Sequence, residues 1–220
     1  MRLGTVLWLS IFGAAGVLPS AWAADAFHEP QIQEIQALHQ KSEGGDKKAT
    51  RDLVEMLETL HQQQPDNRLI QAYLGSAYTL ASRDAFPGPG KLDYLRNGLK
   101  TMDAAVDADP QNIPVRFIRA VNNFNLPVFI NRRDNARADF EVLLAQIKER
   151  PDELEATTRE AICFFAGLSF KQLGRKQDAR ATWQSGLDLG LNSDITLRIS
   201  EEIKKLTPDR PLHERSSISR

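Results

Sequence analysis

The stretch from Pro87 to Lys91, PGPGK, has the glycines and the lysine that a phosphate-binding loop uses. Such a loop cradles phosphate oxygens with backbone amides and needs the order G-x-x-x-x-G-K-[ST] after a strand. Here Leu92 follows the lysine, prolines remove amide donors, and no strand pattern precedes the stretch. The sequence therefore favours a turn between helices over a phosphate site.

The other residues that could do chemistry are scattered. Cys163 is the only cysteine and lies in the apolar run AICFFAGL, so we expect a buried and inert thiol. The histidines lack the i, i+4 spacing of a helical metal pair, and we expect His39 and His61 to be solvated. No hydrolase or zinc-protease motif occurs. The sequence thus predicts no enzyme activity, no catalytic residue, no metal and no cofactor.

Residues 1–23 have the pattern of a secretory signal peptide. A basic residue at position 2 precedes an apolar run from Leu3 to Val17, and the small-x-small site ends at Ala23. The apolar run is about 15 residues long, short of the ~20 that span a bilayer. We expect cleavage after Ala23, export to the periplasm of a bacterium, and no stable membrane insertion of the mature chain.

Charge and cysteine content limit the partners and the means of stabilisation. The chain has 28 basic and 29 acidic residues, so net charge gives no reason to expect nucleic acid or an anionic membrane as partner. A single cysteine cannot form an internal disulfide, so the apolar core must stabilise the fold. Residues 207–220 are poor in apolar side chains and are predicted to be a disordered tail.

Apolar residues recur at i, i+3, i+4 and i+7 along most of the chain, which is the periodicity of amphipathic helices. Breaks rich in Gly, Pro, Asp and Asn separate the helical stretches. The predicted helices are 31–42, 47–63, 68–82, 92–108, 113–126, 134–149, 154–173, 176–189 and 193–206. Because no stretch alternates convincingly with period two, we predict an all-α protein.

Small and large residues follow a characteristic order in residues 161–190. Gly167 lets two helices approach closely, Gly174 makes the turn, and Trp183 covers the resulting hairpin. Phe170, Ala179 and Gly186 complete the pattern. This order resembles the tetratricopeptide repeat (TPR), a helix-turn-helix unit of about 34 residues.

Weaker copies of the TPR-like pattern occur at 68–110 and 113–149, after a degenerate pair at 31–65 and before a polar-faced cap at 193–206. The resemblance implies a right-handed solenoid of about four TPR-like helical hairpins with a C-terminal capping helix. The predicted domains are therefore a signal peptide at 1–23, a TPR-like helical repeat domain at 24–206 and a disordered tail at 207–220.

The second unit departs from the repeat in its spacing. Tyr78 and Gly98 are 20 positions apart, where the standard repeat has about nine. We therefore expect an insertion of about 11 residues at the turn of this hairpin, forming a long, stiff loop around PGPGK. Phe86, at the start of this loop, either tucks onto the hairpin or is offered as a binding anchor, and we favour tucking.

The TPR register also predicts a binding site, because solenoids present a concave groove lined by the first helix of each repeat. Asparagine amides there can pair with the backbone of an extended peptide. Arg119 and Lys171 could hold an acidic side chain or a C-terminal carboxylate. The predicted protein-binding residues are Arg119, Asn122, Asn125, Phe164, Lys171 and Gln172, beside Ala72, Ser76, Thr79, Ile118 and Leu168.

These features favour an exported TPR-like adaptor that binds a protein or peptide segment of a cell-envelope or secretion assembly. One alternative is a structural accessory subunit that acts by self-association through its stacking faces. Another is an enzyme or a small-molecule carrier with a site that the sequence does not display.

Overall fold

The computed structural model describes residues 29–206, so the predicted signal peptide and the predicted tail lie outside the described residues. Within 29–206 the α-helices are α1 Glu29–Glu43, α2 Lys47–Gln63, α3 Arg68–Asp84, α4 Pro89–Ala108, α5 Ile113–Asn125, α6 Arg133–Glu149, α7 Ala156–Gln172, α8 Lys176–Leu187 and α9 Asp194–Leu206. Short 3-10 turns at Val128–Ile130 and Pro151–Glu153 precede α6 and α7. This range contains no strand, so the all-α prediction is confirmed for it.

Polar residues in the breaks start several of these helices. Asp46 accepts hydrogen bonds from the backbone amides at the start of α2, and Asn67 accepts one from Ile70 at the start of α3. Asn112 does the same for α5 through Val115. Such caps satisfy amides that have no partner inside the helix, each contributing roughly 1 kcal/mol. The Pro-Asp-Asn and Pro-Gln-Asn breaks therefore act as helix-starting signals.

Each helix packs against the next one along the chain, and each odd-numbered helix also contacts the odd-numbered helix two places on. The shared core is apolar and runs the length of the described chain. It includes Leu53 and Leu57 in α2, Ile70 in α3, Met102 in α4, Phe140 in α6, Phe165 in α7 and Trp183 in α8. Burial of this continuous core provides the main stabilising free energy.

Two glycines bring α3 and α4 together. A Cβ atom at Gly75 would lie 2.5 Å from Met102 Cγ, and one at Gly98 would lie 2.7 Å from the carbonyl oxygen of Gly75. No larger side chain fits at either position without separating the helices. Both glycines therefore let the two helices approach closely.

The contact between α7 and α8 also has the expected form. A Cβ atom at Gly167 would lie 2.2 Å from Trp183 Nε1, and the Trp183 side chain is fully buried. Gly186 faces Ile199 of α9, where an added Cβ would lie 3.0 Å from Ile199 Cδ1. Gly174 adopts φ 77° in the turn between α7 and α8, a conformation that favours glycine.

The predicted long loop around PGPGK is wrong. Only residues 85–88 connect α3 to α4, because Pro89 occupies the first turn of α4. The extra residues lengthen the helices instead, to 17 residues in α3 and 20 in α4. Proline suits the first turn of a helix, since its missing amide would have no partner there and its φ is already helical.

Lys91 joins the two ends of this hairpin. Its Nζ atom donates hydrogen bonds to the carbonyl oxygens of Ser82 (2.8 Å) and Arg83 (3.2 Å), and Ser82 Oγ donates to the carbonyl oxygen of Lys91 (2.9 Å). A cation here satisfies carbonyl groups that the end of α3 leaves unpaired. The lysine of PGPGK therefore stabilises a helix terminus.

Candidate protein-binding groove

The odd-numbered helices α1, α3, α5, α7 and α9 lie side by side, each contacting the next member of the set. We call the surface that they form, away from the even-numbered helices, the groove face. The TPR register placed the predicted binding residues on α5 and α7 of this face. The contacts of each residue determine what it can offer to a partner.

Asn122 connects α5 to α3. Its Nδ2 atom donates to Ser76 Oγ at 3.0 Å, and its Oδ1 atom accepts from Thr79 Oγ1 at 3.1 Å. Both ends of the amide are therefore engaged inside the protein. Asn125 follows one helical turn later and is half-buried.

Arg119 is held by carboxylates within the protein. Nε and Nη2 donate to the two oxygens of Asp139 at 2.8 and 2.7 Å, and Nη1 donates to Asp103 at 3.3 Å. Burial lowers the pKa of the Arg119 guanidinium, but the hydrogen bonds to Asp139 and the negative charges of Asp139, Asp103 and Asp107 together outweigh burial and raise the pKa. A partner carboxylate could bind Arg119 only by displacing these internal contacts.

Phe164 and Lys171 on α7 both meet the C-terminal helix α9. Phe164 is 3% exposed, with the Arg198 guanidinium 5.4 Å from the ring centroid and the Phe165 ring 5.2 Å away. Lys171 Nζ forms an ion pair with Glu202. Phe164 is thus part of the core, while the Lys171 side chain remains 34% exposed.

The groove positions on α3 are also covered by their neighbours. Ala72, Ser76 and Thr79 are buried, as is Ile118 on α5. Ser76 is approached by His39 of α1 as well as by Asn122, with His39 Nε2 at 3.5 Å from Ser76 Oγ. These positions form the packed floor of the groove face. Of the predicted set, Gln172 is exposed and Asn125, Leu168 and Lys171 are half-buried. Arg119 and Asn122 are half-buried as well, but internal hydrogen bonds engage their polar groups.

Sequence analysis missed a buried ionic cluster between α4, α5 and α6. Asp139 is 1% exposed and accepts from Arg116 Nη1 at 2.6 Å as well as from Arg119. Arg132 donates to Asp103 at 2.5 Å and to Asn123 Oδ1 at 3.1 Å. The i, i+3 spacing of Arg116 and Arg119 was a signal that both face one side of α5.

Cys163 and His39, to which sequence analysis assigned no functional role, are both buried. Cys163 is buried, and burial raises the pKa of its thiol to about 12, so the thiolate that reactions require is scarce at neutral pH. His39 was expected to be solvated and is instead 8% exposed, beside Tyr73 and in contact with Glu43. Packing of α1 against α3 covers it. Within residues 29–206, no group of three or more metal-ligating side chains is placed to hold an ion.

Large apolar side chains are exposed in the loops that follow α3 and α5. Phe86 is 90% exposed, so the expectation that it tucks onto the hairpin is wrong. Phe129 is 82% exposed and Val128 is 58% exposed in the 3-10 turn before α6. None of the helices within residues 29–206 combines the length and apolar content that crossing a membrane requires.

These observations define an all-α protein of consecutively packed helices with a polar, partly covered groove face. No protein-family model matches the chain, and comparison with curated proteins finds no match. Among solved structures the chain is similar to MamA AMB-1, with 20% identity over 82% of each chain and a TM-score of 0.41. A likeness at that level carries no argument about fold or function, so the proposals below depend on the residues themselves.

Proposed function

We propose that this protein is an exported TPR-like adaptor, a right-handed solenoid of about four helical hairpins capped by α9. In this proposal it binds a protein or peptide segment of a cell-envelope or secretion assembly. The observation that carries the proposal is the pattern of helix packing. Every helix packs on the next one, and each odd-numbered helix also contacts the next odd-numbered helix. Solenoids of paired helices use the surface of their first helices for binding.

The Gly167–Trp183 and Gly75–Gly98 contacts support the TPR-like assignment, since each lies at the position where the repeat brings its two helices together. The packing of α9 against α7 and α8 supports a capping role for α9. Ile195 and Ile199 are buried on its inner side, while Glu201 and Lys204 are exposed. A terminal helix with one apolar and one polar side closes a solenoid against solvent.

The groove face narrows the proposed binding residues to those that it leaves accessible. Asn125 and Gln172 present amides that can both donate to and accept from a peptide backbone. Leu168 adds an apolar contact between them along the chain, and Lys171 keeps access to solvent beside Glu202. In this proposal Arg119 and Phe164 stabilise the surface through their internal contacts and do not themselves contact the partner. We propose no catalytic activity, and export is proposed from the leader pattern alone.

A second candidate is self-association through an end of the stack. The observation that favours it is Leu197, which is 66% exposed on α9. Light scattering would detect it as a mass above that of one chain. Leu197→Ser should return the protein to a monomer if this end is the contact.

The adaptor proposal is tested with paired amide substitutions. Asn125→Ala/Gln172→Ala removes the accessible amides of the groove face, and Asn135→Ala/Gln177→Ala removes matched exposed amides on α6 and α8. A partner captured from an envelope extract by the parent and the control, but lost by the groove variant at an unchanged melting temperature, supports the proposal. Equal capture by both variants would overturn the groove assignment.

A further inference from the structure

The connections between helices divide into two edges of the molecule. Successive helices pack against each other across short connections, so they run in opposite directions. The connections after odd-numbered helices therefore lie at one edge and those after even-numbered helices lie at the other. Each connection after an odd-numbered helix, taken with the first two to five residues of the helix that follows, gives residues 44–48, 85–91, 126–137 and 173–180, which we call the basic edge. The connections after even-numbered helices, taken with up to two adjoining helix residues, give 64–67, 107–112, 149–155 and 188–194, which we call the acidic edge.

The two edges carry opposite charge. The segments of the basic edge contain nine Lys or Arg residues against three Asp or Glu residues. Those of the acidic edge contain nine Asp or Glu residues against one Arg. The near-neutral total therefore conceals a separation of charge from one edge to the other. A charged surface would orient such a molecule even though its net charge is small.

Exposed apolar side chains lie at the basic edge as well. Phe86 and Phe129 come from neighbouring connections and are 90% and 82% exposed. Val128 and Leu92 are each 58% exposed beside them along the chain. The other exposed large hydrophobic side chains within residues 29–206 are Tyr94 on α4, at 40%, and Leu197 on α9, at 66%.

Several contacts hold neighbouring parts of the basic edge together. Lys47 Nζ lies 5.7 Å from the centroid of the Phe86 ring, and Arg83 donates to the carbonyl oxygen of Ser42 at the end of α1. Arg175 donates to Glu141 at 2.7 Å, which joins the last connection to α6. The bonds of Asn122 to α3 hold α3 and α5 side by side, so their C-terminal ends reach the same edge.

We propose that the basic edge docks on an anionic lipid surface. Phe86 and Phe129 enter the boundary between headgroups and acyl chains, while Lys47, Arg133 and Lys176 face the lipid charges. Apolar side chains combined with nearby basic groups are the two components of interfacial membrane binding. The acidic edge then points away from the membrane, which fixes the orientation of the groove face.

The shape of the edge favours a lipid surface over a protein partner. The two phenylalanines protrude from separate connections, whereas protein hot spots cluster in well-packed pockets. Docking leaves the groove face available, so this inference is independent of the adaptor proposal. Failure of either one does not decide the other.

Vesicle binding of the full chain tests the docking. Phe86→Ser/Phe129→Ser should bind vesicles containing phosphatidylglycerol at least about tenfold more weakly than the parent, because both apolar anchors are lost. Leu197→Ser, which removes an exposed apolar side chain of α9 away from the edge, should bind like the parent. Lys47→Glu/Lys176→Glu should also weaken binding, unlike the control Lys100→Glu/Lys148→Glu.

A fluorescent label reports which edge meets the lipid, independently of any binding by the leader. An environment-sensitive dye attached to Asn135→Cys at the basic edge should shift to the blue on anionic vesicles, and a dye on Asp152→Cys at the acidic edge should not. The native Cys163 is buried and stays unlabelled. Equal shifts at both edges, no shift at either, or equal binding to pure phosphatidylcholine would overturn the proposal. Loss of a protein partner by the Phe86/Phe129 variant without any vesicle effect would also overturn it.

Discussion

The α5–α6 and α7–α8 hairpins have the same arrangement but are held together differently. In α7–α8 the fully buried Trp183 ring lies over Gly167 and donates from Nε1 to the carbonyl oxygen of Phe164 at 3.0 Å. In α5–α6 the buried carboxylate of Asp139 lies between Arg116 and Arg119. One hairpin depends on shape and apolar burial, and the other on a set of charges.

This difference explains why the α7–α8 hairpin resembles the repeat more than the α5–α6 hairpin does. A glycine opposite a tryptophan produces a fixed order of small and large residues, which is visible in the sequence. A buried ionic cluster draws on Arg132 and Asp103 from other elements, so its members have no fixed spacing. We expect the loss of a buried member of the cluster to destabilise the fold, because a buried charge without its partner is costly.

The largest expected loss of stability comes from disrupting the apolar packing of the α7–α8 hairpin. Trp183→Ala should lower the free energy of unfolding by roughly 3–5 kcal/mol, because a large fully buried side chain is replaced by a cavity. Urea unfolding of the variant and the parent measures the difference. Trp183→Phe should recover part of it. A Trp183→Ala protein as stable as the parent would contradict the packing of α7 on α8.

The next largest loss of stability is expected from removing the buried carboxylate of the α5–α6 hairpin. Asp139→Ala should cost about 3 kcal/mol, since it strands the Arg116 and Arg119 guanidiniums in a buried site. Asp134→Ala removes an exposed carboxylate of the same helix and should change the free energy of unfolding by less than about 0.5 kcal/mol. Equal urea midpoints for the two variants would show that the cluster does not stabilise the hairpin.

A third hairpin, α3–α4, combines both modes, with a glycine contact in the middle and a lysine at its end. Lys91→Met should cost about 1 kcal/mol, because the carbonyl groups of Ser82 and Arg83 lose their donor while the apolar stem is kept. Differential scanning calorimetry of the variant beside Lys100→Met, an exposed lysine of the same helix, measures the effect. Identical melting temperatures would show that water replaces Lys91 fully.

The smallest expected effect on stability comes from the ion pair that joins α7 to α9, and it depends on pH. Burial raises the pKa of Glu202, but hydrogen bonds from Lys171 and Lys205 outweigh burial and lower it below its usual value of 4.5. The ionised carboxylate therefore stabilises the fold above that pH, and the contribution is lost as the pH falls through the lowered pKa. The melting-temperature difference between the parent and Glu202→Gln should shrink from about pH 7 to about pH 3. A difference that stays constant would show that the ion pair contributes nothing.

The sequence by itself determined the helical class and the positions of the helices. All nine predicted segments correspond to helices in 29–206, most within a few residues at either end. Periodicity and helix-starting residues such as Asn67 and Asn112 are local properties, so they can be recognised without the fold. The close approach of two helices at Gly167 was also predicted, because the order of small and large residues in 161–190 resembles the repeat.

Only the tertiary structure decided which polar residues remain available to a partner. Arg119, Asn122 and Phe164 are predicted binding residues, yet their neighbours bury them or bind them. The length of the turn after α3 also depended on the pairing of α3 with α4, because helices extend as long as they have a surface to pack against. The separation of charge between two edges arises from the alternating direction of the helices, so neither composition nor any local stretch contains it.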